Sequence, residues 1–145
     1  MEEVDAGLIV YPRVANIREE WHWIKPAIEE ILHLDTNLTF RPEDVYHSVL
    51  SGESQLWVHP NFFNVATIET DEFTGDTTFL LWLSWAKERG GANAVTFADF
   101  YEKVAKQLNC SRIETRSCQM PAVEYAVSKV GWEIREIIFG KDLRS

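Results

Sequence analysis

Apolar and polar residues alternate along the chain with two different periods, and these periods predict its helices and strands. From Asn16 to Leu32 the apolar residues recur at helical spacing, with Asn16 placed as the N-cap. Pro26 lies inside this pattern and lacks a backbone N–H, so it predicts a break into two helical pieces. In contrast, Thr77 to Trp85 contains a continuous apolar run, which predicts a central strand that is buried on both faces.

With the other apolar patterns of the chain included, the predicted order of elements is β-α-α-α-β-β-β-α-β-α-β. The predicted strands cover 7–14, 55–59, 64–70, 77–85, 111–116 and 132–139, and the helices after the first two pieces cover 43–50, 96–108 and 121–130. Thr96 is the predicted N-cap of the helix that starts there, with Asp99 completing a capping box. The fold class is α/β (α+β) in a single domain over 1–145, with a mixed, mostly antiparallel sheet of five to seven strands and helices on both faces.

Charge divides the chain into two unequal parts. The formal net charge is −9, but residues 1–86 carry 15 acidic and four basic side chains, whereas 87–145 carry eight acidic and ten basic ones. Nucleic-acid binding without sequence preference depends on clustered Lys and Arg, so this composition argues against a nucleic-acid partner. A large anionic ligand is expected to bind the C-terminal part.

Membrane, secretion and metal-binding roles are also disfavoured. The apolar runs are far shorter than the roughly 20 residues of a membrane span, and the acidic N-terminus differs from a signal peptide, so we expect a cytosolic location. Cys110 and Cys118 would lie about 26 Å apart along a strand, too far for a disulfide. The four histidines are scattered, so we expect no metal site.

A turn of small residues joins the central strand to the next helix. Backbone N–H groups at a helix start attract phosphate oxygens, and small side chains allow close approach, although the same residues are also typical of an ordinary turn. The candidate residues for binding a cofactor phosphate are Arg89, Gly90, Gly91, Ala92, Asn93 and Ala94.

With this turn in place, the order of elements resembles that of the GNAT acyltransferase superfamily, whose cofactor turn usually reads Q/R-x-x-G-x-G/A. Arg89 and Ala94 match that pattern, and Ala92 stands where its first glycine is expected. A second stretch, 127–132, is similar to the family's Y-E-K-x-G-F. Val127 replaces the Tyr that in many members protonates the departing thiolate, and Tyr125 lies on another side of the helix. The resemblance implies acetyl-CoA as the cofactor, if one is bound.

A narrower resemblance is to small GNAT-like proteins that tailed phages and prophages encode. It is carried by the stretches 45–58, 108–114 and 130–132. This resemblance implies a protein that acts through contacts with virion proteins or with other copies of itself. We therefore take two hypotheses forward: a catalytically degenerate GNAT-fold protein acting through protein contacts, or an acyl-CoA-dependent N-acyltransferase acting on an unknown amine.

Each hypothesis has its candidate residues. For catalysis, Glu69 is the candidate base, Ser84 a candidate hydrogen-bonding group and Tyr125 a candidate acid. The carboxylate at 69 is also typical of a solvated turn, and Ser84 could bond its own backbone. For a basic protein partner, exposed rings on an acidic surface are the predicted anchors, unless they cover the sheet edge. These candidates are Trp21, Trp23, Phe62, Phe63, Glu19 and Glu20.

Overall fold

The computed structural model describes residues 8–88, 90–117 and 120–144. Its elements are β1 Arg13–Val14, α1 Ile17–Leu34, α2 Pro42–Leu50, β2 Gln55–Val58, β3 Phe62–Thr70, β4 Thr77–Ala86, α3 Ala98–Gln107, β5 Arg112–Thr115 and α4 Met120–Lys129. The sheet has five strands in the order β1-β2-β3-β4-β5. The first three pairings are antiparallel, and β4 pairs with β5 in parallel. The predicted fold class, a mixed and mostly antiparallel sheet with helices, is confirmed.

Two apolar clusters fill the faces of the sheet. On one face, α1 and α2 contribute Ile24, Ile28 and Val45, which pack against Val65 of β3 and Leu83 of β4. On the other face, α3 packs against β2, β3 and β4; the buried residues of this second cluster are Trp57, Ala66, Phe79, Leu81, Ala94, Tyr101 and Ala105. β4 lies between β3 and β5, so it is an interior strand, although the middle strand of the sheet is β3.

The predicted break in the first helix is wrong, because α1 continues through Pro26 from Ile17 to Leu34. Pro26 is on the exposed side of the helix, and so is His22, whose carbonyl loses its helical donor and can bond water. The buried face of the helix, with Ile24 and Ile28 fully inaccessible, outweighs a cost of about 3 kcal/mol. Asn16 is the N-cap, as expected, and its side chain accepts the backbone N–H of Arg18.

Two further predictions need correction. No strand is assigned at 132–139 within the described residues after α4, where Ile134, Ile137, Ile138 and Phe139 are exposed. Ile137 and Phe139 fall on the opposite parity to Ile134 and Ile138, so a strand here would need cover on both faces, and these side chains are exposed instead. The predicted first strand, 7–14, is reduced to Arg13–Val14 at the sheet edge.

Several turn signals are confirmed. α2 begins at Pro42, and the positive φ of Gly52 follows its end, as expected. The hairpin between β3 and β4 closes through Gly75, whose N–H donates to the Asp71 carbonyl. Gly131 has a φ of +78° just beyond α4. No helix of the described part is both long and apolar enough to span a bilayer.

Candidate functional site

The sheet divides at the middle of β4. Pairing with β5 ends at Leu81 opposite Thr115, and no other strand pairs with that side of β4 in the described part of the chain. On the opposite side, β3 pairs Ala66 with Leu81 and the preceding Val65 with Leu83. Trp82 is therefore the extra residue of a β-bulge, which bends its strand. We call Trp82–Ala86, beyond this bulge, the open half of β4.

A row of polar side chains leads from the core to this open half. Asn64 of β3 is fully buried and lies opposite Ser84 in the strand register. The Tyr101 hydroxyl of α3 lies 2.6 Å from Asn64 Oδ1, and Asn64 Nδ2 lies 2.8 Å from Ser84 Oγ. Burial raises the pKa of Tyr101, so its hydroxyl stays protonated at physiological pH. Ser84 is exposed, so the row ends at the surface.

The turn before α3 is closed by its own side chains. Asn93 Oδ1 accepts the backbone N–H groups of Val95 and Thr96, at 2.9 and 3.2 Å. Thr96 Oγ1 accepts the N–H of Asn93 and donates to the Asn93 carbonyl, both at 2.9 Å. α3 then begins at Ala98, with Phe97 as an N-cap that makes no side-chain cap bond. The predicted capping by Thr96 is wrong, since the Asn93 carboxamide closes the turn earlier.

A second asparagine fixes the same turn from the β2–β3 connection. Asn61 Nδ2 donates to the Ala92 carbonyl at 2.7 Å, and the Asn61 carbonyl accepts the Lys87 N–H. A Cβ atom at Gly91 would lie 3.0 Å from Asn61 Nδ2, so this position needs a glycine unless Asn61 moves. Arg89 lies outside the described residues. Gly90, with a φ of +78°, has open space where a side chain would be, but its backbone conformation favours glycine.

The other catalytic candidates are not brought to the open half of β4. Glu69 is exposed near the far end of β3, five residues and about 16 Å along the strand from Asn64. There it forms an ion pair of 3.5 Å with Arg116. Tyr125 is exposed on α4, and so is Val127, which stands at the family's tyrosine position. Of the three candidates, only Ser84 lies on the open half.

The predicted exposure is wrong for the two phenylalanines among the partner-binding candidates. Phe62 and Phe63 are both buried. Trp21 and Trp23 are half-buried and point to different neighbours: Trp21 packs edge-on against Tyr46 of α2, whereas Trp23 packs against Phe63 of the sheet. Since α1 lies in the corner between α2 and the sheet, two rings on different sides of one helix both find a packing surface.

The acidic candidates beside these rings differ from each other. Glu19 is exposed in the first turn of α1. Glu20 is half-buried, and its carboxylate accepts the Trp23 indole N–H at 2.6 Å. The carboxylate of Glu20 is therefore already engaged within the protein, and of the two only Glu19 is fully available to a partner.

A groove of about 460 Å³ lies beside the β1 edge. It is lined by both charges and by rings, among them Arg13, Glu20, Trp23, His59 and Lys87. Burial lowers the pKa of His59, opposed by a hydrogen bond with the Val10 backbone. Since His59 Nδ1 accepts the Asn61 N–H at 3.0 Å, the groove is linked to the connection that holds the turn before α3.

Sequence reasoning missed Asn61, Asn64 and Tyr101. Asn64 could have been found, because it is a lone carboxamide within an apolar strand, FFNVA, where a polar group needs a partner. Tyr101 was less visible, since a tyrosine at an apolar helix position is typical of an ordinary core. Asn61 carries no signal of its own beyond a turn residue after Pro60.

The comparisons with solved structures support the fold. One match is an aminoglycoside acetyltransferase from an uncultured soil metagenomic sample in complex with sisomicin, with a TM-score of 0.67, 10% identity, and coverage of 97% of this chain and 99% of that one. A second is an acetyltransferase of Trypanosoma brucei, with a TM-score of 0.62, 12% identity, and coverage of 93% and 100%. A third is a ribosomal-protein-alanine N-acetyltransferase of Brucella melitensis biovar Abortus 2308, with a TM-score of 0.60, 14% identity, and coverage of 91% and 100%.

No protein-family profile and no curated protein sequence matches the chain. The structural neighbours are acetyltransferases, and the chain has the GNAT fold that the sequence predicted. At identities this low, the likeness concerns the fold alone.

The GNAT fold implies acyl-CoA as a cofactor, and the two parts of the candidate site fit it to different degrees. The open half of β4 leaves strand backbone and the Ser84 hydroxyl accessible to an acyl arm. The turn before α3 has small residues, but the N–H groups of Val95 and Thr96 already donate to Asn93. The site therefore fits the acyl end, and it fits the pyrophosphate once the Asn93 side chain leaves the turn.

Proposed function

We propose that this chain is an acyl-CoA-dependent N-acyltransferase of the GNAT type, acting on an amine. The observation that carries the proposal is the bulge at Trp82, which coincides with the end of β4–β5 pairing and is followed by the exposed Ser84 on the half of β4 that pairs only with β3. A bulge beside an unpaired strand segment is a common feature of active sites. The acetyltransferase neighbours support the same proposal through their shared fold.

The chain's own residues prepare this site in two ways. Asn64 and Tyr101 hold the Ser84 hydroxyl in place from the core side. The start of α3 supplies backbone donors and the positive end of a helix dipole for a phosphate. When bound, acyl-CoA supplies the activated thioester carbonyl for attack by the amine.

Asn93 sets the affinity in this proposal, because its carboxamide occupies donors that a phosphate would need. Substitution Asn93→Ala frees the N–H groups of Val95 and Thr96. We expect acetyl-CoA to bind Asn93→Ala about tenfold more tightly than the wild type, which corresponds to about 1.4 kcal/mol. The same substitution removes the two hydrogen bonds by which Asn93 closes the turn and should cost about 1 kcal/mol of stability. Isothermal titration calorimetry and urea unfolding measure the two effects separately.

Asn16→Ala is the matched control, because it removes another asparagine whose side chain accepts a backbone N–H just before a helix. It should cost similar stability and leave the affinity for acetyl-CoA unchanged. Absence of acetyl-CoA binding in all three proteins at millimolar concentration would overturn the proposal. Equal affinities of wild type and Asn93→Ala would show that the turn is not the phosphate site.

A second candidate function, contact with a protein partner or with other copies of this chain, is favoured by the exposed C-terminal segment. Ile137, Ile138, Phe139 and Leu143 are between 69% and 88% exposed. Exposed apolar side chains so close in sequence are typical of interaction surfaces. In this second candidate the apolar anchors would be C-terminal residues rather than residues of the acidic part; a virion role stays a prediction.

Sedimentation velocity tests the contact between copies. The wild type should self-associate as its concentration rises, and a variant with Ile138→Asp and Phe139→Asp should remain monomeric at the same concentrations. Monomeric wild type throughout the range would remove self-association from this second candidate.

A further inference from the structure

The polar row from Tyr101 through Asn64 to Ser84 has only one direction in which the buried Tyr101 hydroxyl finds an acceptor. The Tyr101 side chain is fully inaccessible, and burial keeps its hydroxyl protonated. Within the described part of the chain, the hydroxyl has one hydrogen-bond partner, Asn64. The tyrosine must therefore donate to the carboxamide oxygen, because the opposite orientation would leave a buried O–H without an acceptor.

This fixes the direction of the second hydrogen bond. With its oxygen turned towards Tyr101, Asn64 presents Nδ2 to Ser84, and the amide donates to the serine oxygen. The serine hydrogen is then not used by Asn64, and within residues 8–88, 90–117 and 120–144 the Ser84 side chain makes no other hydrogen bond. The hydroxyl is thus held as a donor on the open half of β4.

We propose that Ser84 is a substrate-binding donor, which recognises an acceptor oxygen placed against the open half of β4. The ligand chemistry is a carbonyl or carboxylate oxygen. It has two sources: the thioester carbonyl of the acyl donor, or an oxygen of the amine substrate. The thioester carbonyl is a candidate ligand only if the proposed function holds. The direction of the hydrogen bonds does not depend on that function.

The inference gives Tyr101 a role although it lies in the core and away from the ligand. In Tyr101→Phe the carboxamide can rotate, so that Ser84 donates to Asn64 and loses its outward hydrogen. Tyr101 is thus a positioning residue. Ser84→Ala and Tyr101→Phe should weaken the ligand in the same way, and Ser84→Thr, which keeps the hydroxyl, should bind as the wild type does.

The first experiment compares acetyl-CoA with S-ethyl-CoA, a thioether that lacks the carbonyl oxygen. Calorimetry should show that Ser84→Ala and Tyr101→Phe each lower acetyl-CoA affinity about tenfold and leave S-ethyl-CoA affinity unchanged. If the oxygen belongs to the amine substrate, both affinities stay constant and the KM for the amine rises in these variants. Unchanged affinities together with an unchanged KM would overturn the inference.

A second experiment is independent of acyl-CoA and therefore separates this inference from the proposed function. Sodium acetate, a simple carboxylate, is titrated into 15N-labelled protein while the backbone amide of Ser84 and the side-chain amide of Asn64 are followed by NMR. Both signals should shift in the wild type and in Ser84→Thr, and neither should shift in Ser84→Ala. If wild type binds no acyl-CoA but the acetate shifts occur, the proposed function fails and Ser84 remains a donor site. If acetate shifts neither signal in the wild type and acetyl-CoA binding is unaffected by Ser84→Ala, the inference is wrong.

Discussion

The face of the sheet under α1 and α2 and the face under α3 differ in what their strands bury. Under α1 and α2 the buried strand residues are apolar, and the buried Ser54 lies in the loop before β2 rather than in the sheet. Under α3 the strands bury Asn64, bonded to Tyr101. A buried polar pair contributes less to stability than apolar packing of the same volume, so its presence indicates a role in orienting Ser84. The first face thus stabilises the fold, and the second face also prepares the site.

The largest expected effect is on the first face. Leu83→Ala removes a buried side chain that packs with Val65 and Ile28, so the free energy of unfolding should fall by about 3 kcal/mol. Ile68→Ala on β3, where the side chain is 42% exposed, is the control and should cost less than about 1 kcal/mol. Urea denaturation measures both. A loss below about 1 kcal/mol for Leu83→Ala would mean that this face does not stabilise the fold as described.

The next largest effect on stability comes from removing one tyrosine hydroxyl on each face of the sheet. Tyr101→Phe leaves one end of the buried Asn64 carboxamide without a partner, whichever way the amide turns, and should cost about 2 kcal/mol. Tyr46→Phe, in the cluster under α1 and α2, removes a hydroxyl from a half-buried ring that packs against Trp21. It should change stability by less than about 0.5 kcal/mol. Equal changes from the two substitutions would contradict the difference between the faces.

The smallest expected effect is on the pH dependence of stability, through His59 in the groove beside the β1 edge. Burial holds the pKa of His59 below its ordinary value of 6.5, so the unfolded chain takes up this proton first as pH falls. The stability that comes from the neutral, buried His59 is therefore complete above pH 6.5, and it is lost as pH falls towards the pKa of His59 in the folded protein. Thermal unfolding of wild type and His59→Gln between pH 7.5 and 5 should show a steeper decline for the wild type. Parallel curves would show that His59 does not contribute.

The sequence predicted most elements of the fold because their signals are local. Pro42 and Asn16 mark helix starts, and Gly75 marks a hairpin, since each residue type favours one backbone geometry. Pro26 misled the prediction because its cost is local, whereas the compensation comes from burial of the opposite helix face against the sheet. Tertiary packing outweighed propensity at this position.

The candidate site was less predictable, because it depends on pairings between distant residues. Ser84 was identified as a polar residue in an apolar strand, but its partner Asn64 lies 20 positions earlier and Tyr101 lies 17 positions later. The turn before α3 was located correctly. Which backbone N–H groups the side chains of Asn93 and Thr96 accept depends on the backbone path, which no residue pattern states.

The bulge at Trp82 has the geometry of one extra residue placed in an otherwise regular strand. Trp82 and Leu83 are consecutive, yet both side chains pack towards α1 and α2, and the alternation of faces resumes at Ser84. Deletion of Trp82 would consequently leave Leu83 buried and Ser84 opposite Asn64, in an unbroken ladder. Without this one residue the strand would keep the same polar row but run straight, so a single position accounts for the bend of β4.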